Sequence, residues 1–219
     1  MLRTLRTAIF TLTSIVAASS IAPAQKPYTP SQGIFQGSKD IGSAQLGSTR
    51  FYPDTASYEI RGGGADVWGT ADDFRFTWTR VSGDASLAAD VHVDAPVTYR
   101  LSKGMLMFRQ SLDPGSPYAD IAIHADGHIT LQYRLTQGGE TKDVTLPEHN
   151  VPRLRIVRHG DRFTVYAGSN SGSPQAGPSI TVAMTGPVYA GLGVCSHNTD
   201  DLQTVTFSEV DVQGSHPKN

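Results

Sequence analysis

Residues Ala119 to Tyr133 read ADIAIHADGHITLQY, two alternating runs around a loop at Ala125, Asp126 and Gly127. A two-residue Asp-Gly turn sets His124 opposite Ile129 and Ala122 opposite Leu131, mixing apolar and polar side chains on one face. A three-residue loop with Gly127 in the left-handed conformation sets Ile123 opposite Ile129 and Ile121 opposite Leu131 instead. The second register keeps one face wholly apolar and is preferred. It puts His124 opposite His128 and Asp120 opposite Gln132 on the polar face.

The same period of two recurs on both sides of this hairpin. Short alternating runs bounded by Gly, Pro, Asp or Asn predict strands near 58–61, 73–80, 86–94, 104–111, 119–125, 128–135, 153–158, 162–167, 180–184, 188–195 and 203–212. No helical stripe and no fixed repeat interrupts them, so the fold class is all-β, a sandwich or barrel and not a propeller. Phe74, Phe76 and Trp78 share one face against Arg75, Thr77 and Thr79. Leu87, Ala89, Val91 and Val93 face a core, with Ala88, Asp90, His92 and Asp94 turned away. Leu106 and Phe108 alternate with Met105, Met107 and Arg109, so neither side of that strand is fully polar. Such a strand belongs in the middle of a sheet with something covering its outer side.

The beginning of the chain reads as a secretory signal peptide over 1–24: Arg3 and Arg6, a mostly apolar run from Ala8 to Ile21, then Ala22-Pro23-Ala24. The run falls short of the roughly 20 apolar residues of a spanning helix, so no membrane span is expected and the localisation is periplasmic or extracellular. An irregular leader over 25–40, one domain over 41–214 and a tail over 215–219 complete the expected organisation. Lys and Arg number 18 against 20 Asp and Glu, and cleavage removes two of the basic residues. An acidic mature chain argues against nucleic acid or an anionic membrane as partner. The single cysteine, Cys195, excludes an internal disulfide, and its setting in YAGLGVCSH predicts a buried structural thiol. The core alone must hold the fold together.

Candidate chemistry is sparse. Gly62 to Phe76, GGGADVWGTADDFRF, lacks the G-x-G-x-x-G pattern leading into a helix and the Gly-Lys-Ser/Thr end of a phosphate loop. Asp66, Asp72 and Asp73 supply hard oxygen ligands without the D-x-[DN]-x-[DN]-G spacing; calcium stays an alternative to carboxylates that bond a turn's backbone. His124 and His128 are two potential zinc ligands, and only Asp126 of the turn offers a third. Glu209 and Asp211 in SEVDVQ share a face, but no third acid follows, and the pair reads as charge protecting an edge strand. No G-x-S-x-G elbow is present, and no residue is assigned a catalytic role.

GADVWGTADDFRF, KGMLMFRQSLDPGSPYA, LRIVRHGDRFTVYAGS, and YAGLGVCSHN followed by TVTFSEVDV resemble, in that order, a family of the concanavalin A-like lectin/glucanase superfamily. This is the secreted jelly-roll family described as related to enolase regulation and often found beside TolB-type propellers in exported bacterial proteins. The resemblance covers about residues 41–212. Its G-A-D-x-W-G-T-x-D-x-F falls on Gly64 to Phe74, its K-A-G-V-M-I-R-E-S-L on Lys103 to Leu112 with Gln110 in place of the acid, and its S-H-N on Ser196 to Asn198. It implies two packed antiparallel sheets in a jelly roll and establishes no reaction, because one fold hosts lectins and enzymes. With the polar strand faces above, it points to a non-catalytic glycan-binding module with contacts at Trp68, Arg75, Asp90, His92, Arg109, His124, His197 and Asn198. A glycoside hydrolase or polysaccharide lyase on the same scaffold, or an envelope module docking on another protein, are the alternatives.

Overall fold

The computed structural model describes residues 32–44, 46–168 and 175–217; residues 1–31, read as a signal peptide and the first part of the leader, lie outside them. The described residues contain strands β1 (Gly37–Ile41), β2 (Ser48–Tyr52), β3 (Ser57–Gly64), β4 (Val67–Trp68), β5 (Ala71–Asp72), β6 (Phe74–Val93), β7 (Lys103–Arg109), β8 (Tyr118–His124), β9 (His128–Arg134), β10 (Lys142–His149), β11 (Arg153–His159), β12 (Arg162–Gly168), β13 (Gln175–Thr181), β14 (Val188–Cys195) and β15 (Asn198–Ser215). All pair antiparallel, and none of the described residues is helical. The front sheet runs β1-β6-β14-β7-β8-β9-β10 and the back sheet β2-β3-β15-β6-β11-β12-β13.

The two predicted runs at 73–80 and 86–94 are one strand. The first part of β6 pairs with β1 and β14 in the front sheet, and the part from Ser82 onward pairs with β11 and β15 in the back sheet. Gly83, at φ +67°, occupies the crossing between sheets, where a left-handed residue breaks the regular ladder. The β8–β9 hairpin takes the expected register, Ile123 opposite Ile129 and Asp120 opposite Gln132. Gly127 sits at φ +92° in its loop.

The main core lies between the sheets. Leu106, Phe108, Ile121, Leu131 and Leu192 come from the front, and Leu87, Ile156, Phe163, Val205 and Phe207 from the back. A second apolar cluster lies on the outer face of the front sheet, where Phe74, Phe76, Met105, Met107, Tyr118 and Cys195 pack with Ile41 and Val67. The short β4–β5 hairpin carries Val67 into it. β7 and β8 are therefore buried on both faces, which accounts for the two-sided apolar pattern of residues 104–109. Phe74 and Phe76 belong to this outer cluster, while Thr77 and Thr79 on the opposite side are buried as well.

Three strands carry no legible alternation: GSKDI in β1, STRFY in β2 and KDVTLPEH in β10. Each ends a sheet and is partly exposed, so no apolar face is demanded of it. Residues 37–40, read as part of the leader, thus pair with β6. Glu209 and Asp211, read as charge on an edge strand, lie beyond Phe207, where the pairing of β15 with β3 ends and the strand keeps β6 alone as partner. Their segment is a bulge, with the register shifting between Ser208 and Asp211 and Glu209 at φ +49°.

Candidate functional site

The outer face of the front sheet turns polar toward its β8–β9–β10 side, and the β4–β5 hairpin overhangs it. Asp72 fastens the hairpin. Its fully buried carboxylate accepts two hydrogen bonds from Arg134, at 2.7 and 2.9 Å, and stands 3.3 Å from Arg109 Nη1. Arg134 also donates to the carbonyls of Trp68, Gly69 and Gly139, and Arg109 to those of Ser111 and Asp113. Both guanidiniums lie against aromatic rings, Arg134 over Tyr118 and Arg109 over Phe74. These contacts fix the turn at Gly69, whose φ of +54° suits glycine, and hold Trp68 at the edge of the sheet.

Asp66 anchors the other end of the hairpin. Its Oδ1 accepts from the Val67 amide at 2.7 Å, Lys103 Nζ at 2.9 Å and His197 Nε2 at 3.0 Å. Burial opposes ionisation of Asp66, but the hydrogen bond from His197 and the charge and hydrogen bond of Lys103 outweigh it and hold the carboxyl at about 2. Lys103 is itself buried and also donates to Gln132 Oε1 at 3.0 Å. His197 has φ +55°, an αL backbone from which its ring reaches Asp66 on one side and stacks on Tyr99 on the other.

The β8–β9 hairpin supplies the floor. His124 and His128 stack with ring centroids 3.8 Å apart and an interplanar angle of 13°. His124 Nδ1 donates to the Leu101 carbonyl, which leaves Nε2 to accept from the Thr130 hydroxyl. Burial, with the nearby Lys103 charge, pushes its pKa down to about 3, so the ring is neutral at physiological pH. His128 Nδ1 bonds Asp126 Oδ1 at 2.5 Å. Asp120 is sealed beneath: Oδ1 accepts from the Gln132 amide, Oδ2 has no partner, and burial raises the carboxyl to about 8 against the opposing pull of Lys103.

Above this floor opens a cleft of about 220 Å³ bordered by Trp68, Asp66, His197, His128, Gln132 and Asp143. Leu101, Lys103, His124 and Thr130 reach it from below. Among the eight contacts expected from the sequence, Trp68, His124 and His197 line this cleft. Arg109 lies under the β4–β5 hairpin with Asp72. Arg75 points between the sheets, bonded to Asp40 and Ser38 at 2.9 Å each. Asp90 and His92 belong to the back sheet, Asp90 3.3 Å from Arg153 and His92 exposed 3.7 Å from Asp94. The Asn198 side chain turns away to Asp201 and the Asp200 amide. Of the carboxylates weighed for calcium, Asp72 faces two guanidiniums and Asp66 an ammonium, and Asp73 Oδ1 accepts from Ser43. Among the described residues no group of three or more His, Cys, Asp or Glu side chains is arranged to hold a metal ion.

Lys103, Gln132, Tyr99 and Asp143 were not singled out from the sequence. Gln132 and His128 were already placed on one face by the hairpin register; what the sequence lacks is the sign that a Trp-bearing hairpin covers that face.

No sequence family and no curated protein matches the chain. Solved structures do. A functionally unknown protein from Saccharomyces cerevisiae superposes with a TM-score of 0.57 at 16% identity, over 78% of this chain and 93% of its own. Arcelin-5, a lectin-like defense protein from Phaseolus vulgaris, gives 0.52 at 9% identity, over 83% and 99%. The GH43 protein BlXynB from Bacillus licheniformis gives 0.51 at 11% identity, over 81% of this chain and 39% of its own. At these identities the likeness concerns the fold, and the fold is that of the concanavalin A-like jelly-roll sandwiches.

Proposed function

We propose that this protein is an exported, non-catalytic glycan-binding module whose binding surface is the cleft beside Trp68. The narrower resemblance to the secreted jelly-roll family belongs to the same proposal. The observation that carries it is Trp68 itself. The residue is 42% exposed, although a side chain of this size stabilises the fold most when buried. The hairpin that carries it is clamped by buried ion pairs, so the ring is held in place and does not need ordering on binding. An indole face offers a platform to the C–H face of a sugar ring, and His128, Gln132 and Asp143 stand beside it as donors and acceptors for hydroxyls. The fold similarity to a lectin-like protein supports the reading.

A hydrolytic reading asks for two available carboxyls across the cleft. Asp66 is occupied by Lys103 and His197, and Asp120 is buried, which favours binding over hydrolysis. The test is a glycan array with and without calcium, followed by calorimetry on the strongest saccharide. Trp68→Ala is expected to weaken binding at least tenfold with the Tm unchanged. Binding that survives the substitution at full strength would place the ligand elsewhere. Release of new reducing ends or unsaturated products from the bound glycan would replace the lectin reading by an enzymatic one.

A further inference from the structure

Among the Phe, Tyr and Trp side chains of the described residues, Trp68 at 42% and Tyr99 at 47% are the exposed ones. They are about 30 residues apart in the chain, yet His197, which lines the cleft with Trp68, carries Tyr99 against its ring. The Tyr99 and His197 rings stack with centroids 5.9 Å apart at 29°. His197 in turn donates to Asp66, two residues before Trp68.

The Tyr99 loop is fastened to the cleft floor. The Tyr99 amide donates to Ser102 Oγ at 3.2 Å, and its carbonyl accepts from the Ser102 amide at 2.9 Å. Arg100 pairs with Asp126 at 3.0 Å, and the Leu101 carbonyl accepts from His124. The loop is therefore positioned by the same hairpin that supplies the floor, and it follows Pro96 and Val97 in an otherwise solvated stretch. Leaving two rings in water at one site, each on a braced backbone, costs apolar burial twice.

We infer that the cleft is the middle of an extended binding track, taking a linear saccharide of several units that stacks one ring on Trp68, passes over His197 and stacks another on Tyr99. This deepens the glycan-binding reading above and rests on it. A track of this kind predicts affinity that grows with chain length, and a Tyr99 contribution that short ligands do not sense.

The experiment is calorimetry with the tightest-binding glycan of the array, as its monomer and as its oligomers up to the hexamer, on the full protein and on Trp68→Ala and Tyr99→Ala. The expected result is that Tyr99→Ala weakens the hexamer about tenfold, in line with one lost ring contact, and leaves the monomer unchanged. Trp68→Ala weakens both. A monomer that binds as tightly as the hexamer, or a Tyr99→Ala variant indistinguishable at every length, overturns the track and leaves glycan binding standing. If nothing on the array binds the wild-type protein, the glycan reading itself falls and the track with it. Tyr99 is exposed, so its substitution is not expected to alter the Tm.

Discussion

Asp120 is the residue with the largest unmet demand. Its carboxyl is fully buried, one oxygen has no partner, and burial lifts its pKa to about 8. Below an unfolded value of about 4 both states hold the proton. As pH rises from there to about 8, the unfolded chain releases it and the native one keeps it, so stability falls. His124 acts in the opposite sense. Its native value of about 3 lies below the unfolded 6.5, so its contribution is lost as pH falls through that interval. The two slopes oppose each other up to about pH 6.5, above which Asp120 acts alone. Unfolding free energies from urea titrations of the wild-type protein should therefore decline between pH 6.5 and 8, by at most about 1.4 kcal/mol per pH unit. Asp120→Asn should remove that decline and expose the rising limb from His124 at lower pH. Parallel profiles for the two proteins would show that the buried carboxyl does not hold its proton.

Among the elements, the β4–β5 hairpin is two residues per strand and could not persist by its own ladder. The Asp72 carboxylate between Arg134 and Arg109 supplies what the ladder lacks. Asp72→Asn should leave two guanidiniums buried with no carboxylate and cost about 3–5 kcal/mol, read as a lowered urea midpoint. Hydrogen exchange of the Asp72 and Asp73 amides, which donate to Pro114 and to Asp66, should accelerate in the same variant. An unchanged midpoint would mean that the outer apolar cluster alone holds the hairpin. The sequence does not announce this arrangement. GGGADVWGTADDFRF has the glycines of a turn, but its carboxylates meet Lys103, Arg109 and Arg134, residues 37 or more positions away in the chain from Asp66 or Asp72. The β8–β9 hairpin was legible because its partners are adjacent in sequence and one register alone separates Ile121, Ile123, Ile129 and Leu131 from the polar side. β1, β2 and β10 were not, since an edge strand needs no apolar face. Three of the expected contacts line the cleft, whereas Arg75 and Arg109 are taken up by Asp40 and Asp72, the first pair partly buried and the second fully so.

At the scale of the molecule, one strand belongs to both sheets. β6 pairs with β1 and β14 in front and with β11 and β15 behind, and the outer cluster shares Phe74 and Phe76 with its first half. Separating the sheets, or stripping the outer cluster, breaks ladders in the other layer, so the described domain should unfold as one cooperative unit. Cys195 provides the probe. It is fully buried in the outer cluster at the end of β14, its Sγ 3.4 Å from the Gly64 carbonyl. Burial pushes the thiol up to about 12, so it stays protonated and unreactive in the native state. Thiol labelling across a urea series should therefore follow the midpoint of far-ultraviolet circular dichroism, because the thiolate forms only where the cluster is lost. If labelling instead runs ahead of the dichroism, the hairpin and outer cluster open while the two sheets remain paired, and the ion pairs at Asp66 and Asp72 act as a local clasp on an independently stable sandwich. The shared strand makes coincidence the expected result, since Cys195 pairs with Lys103 and its strand with the front half of β6.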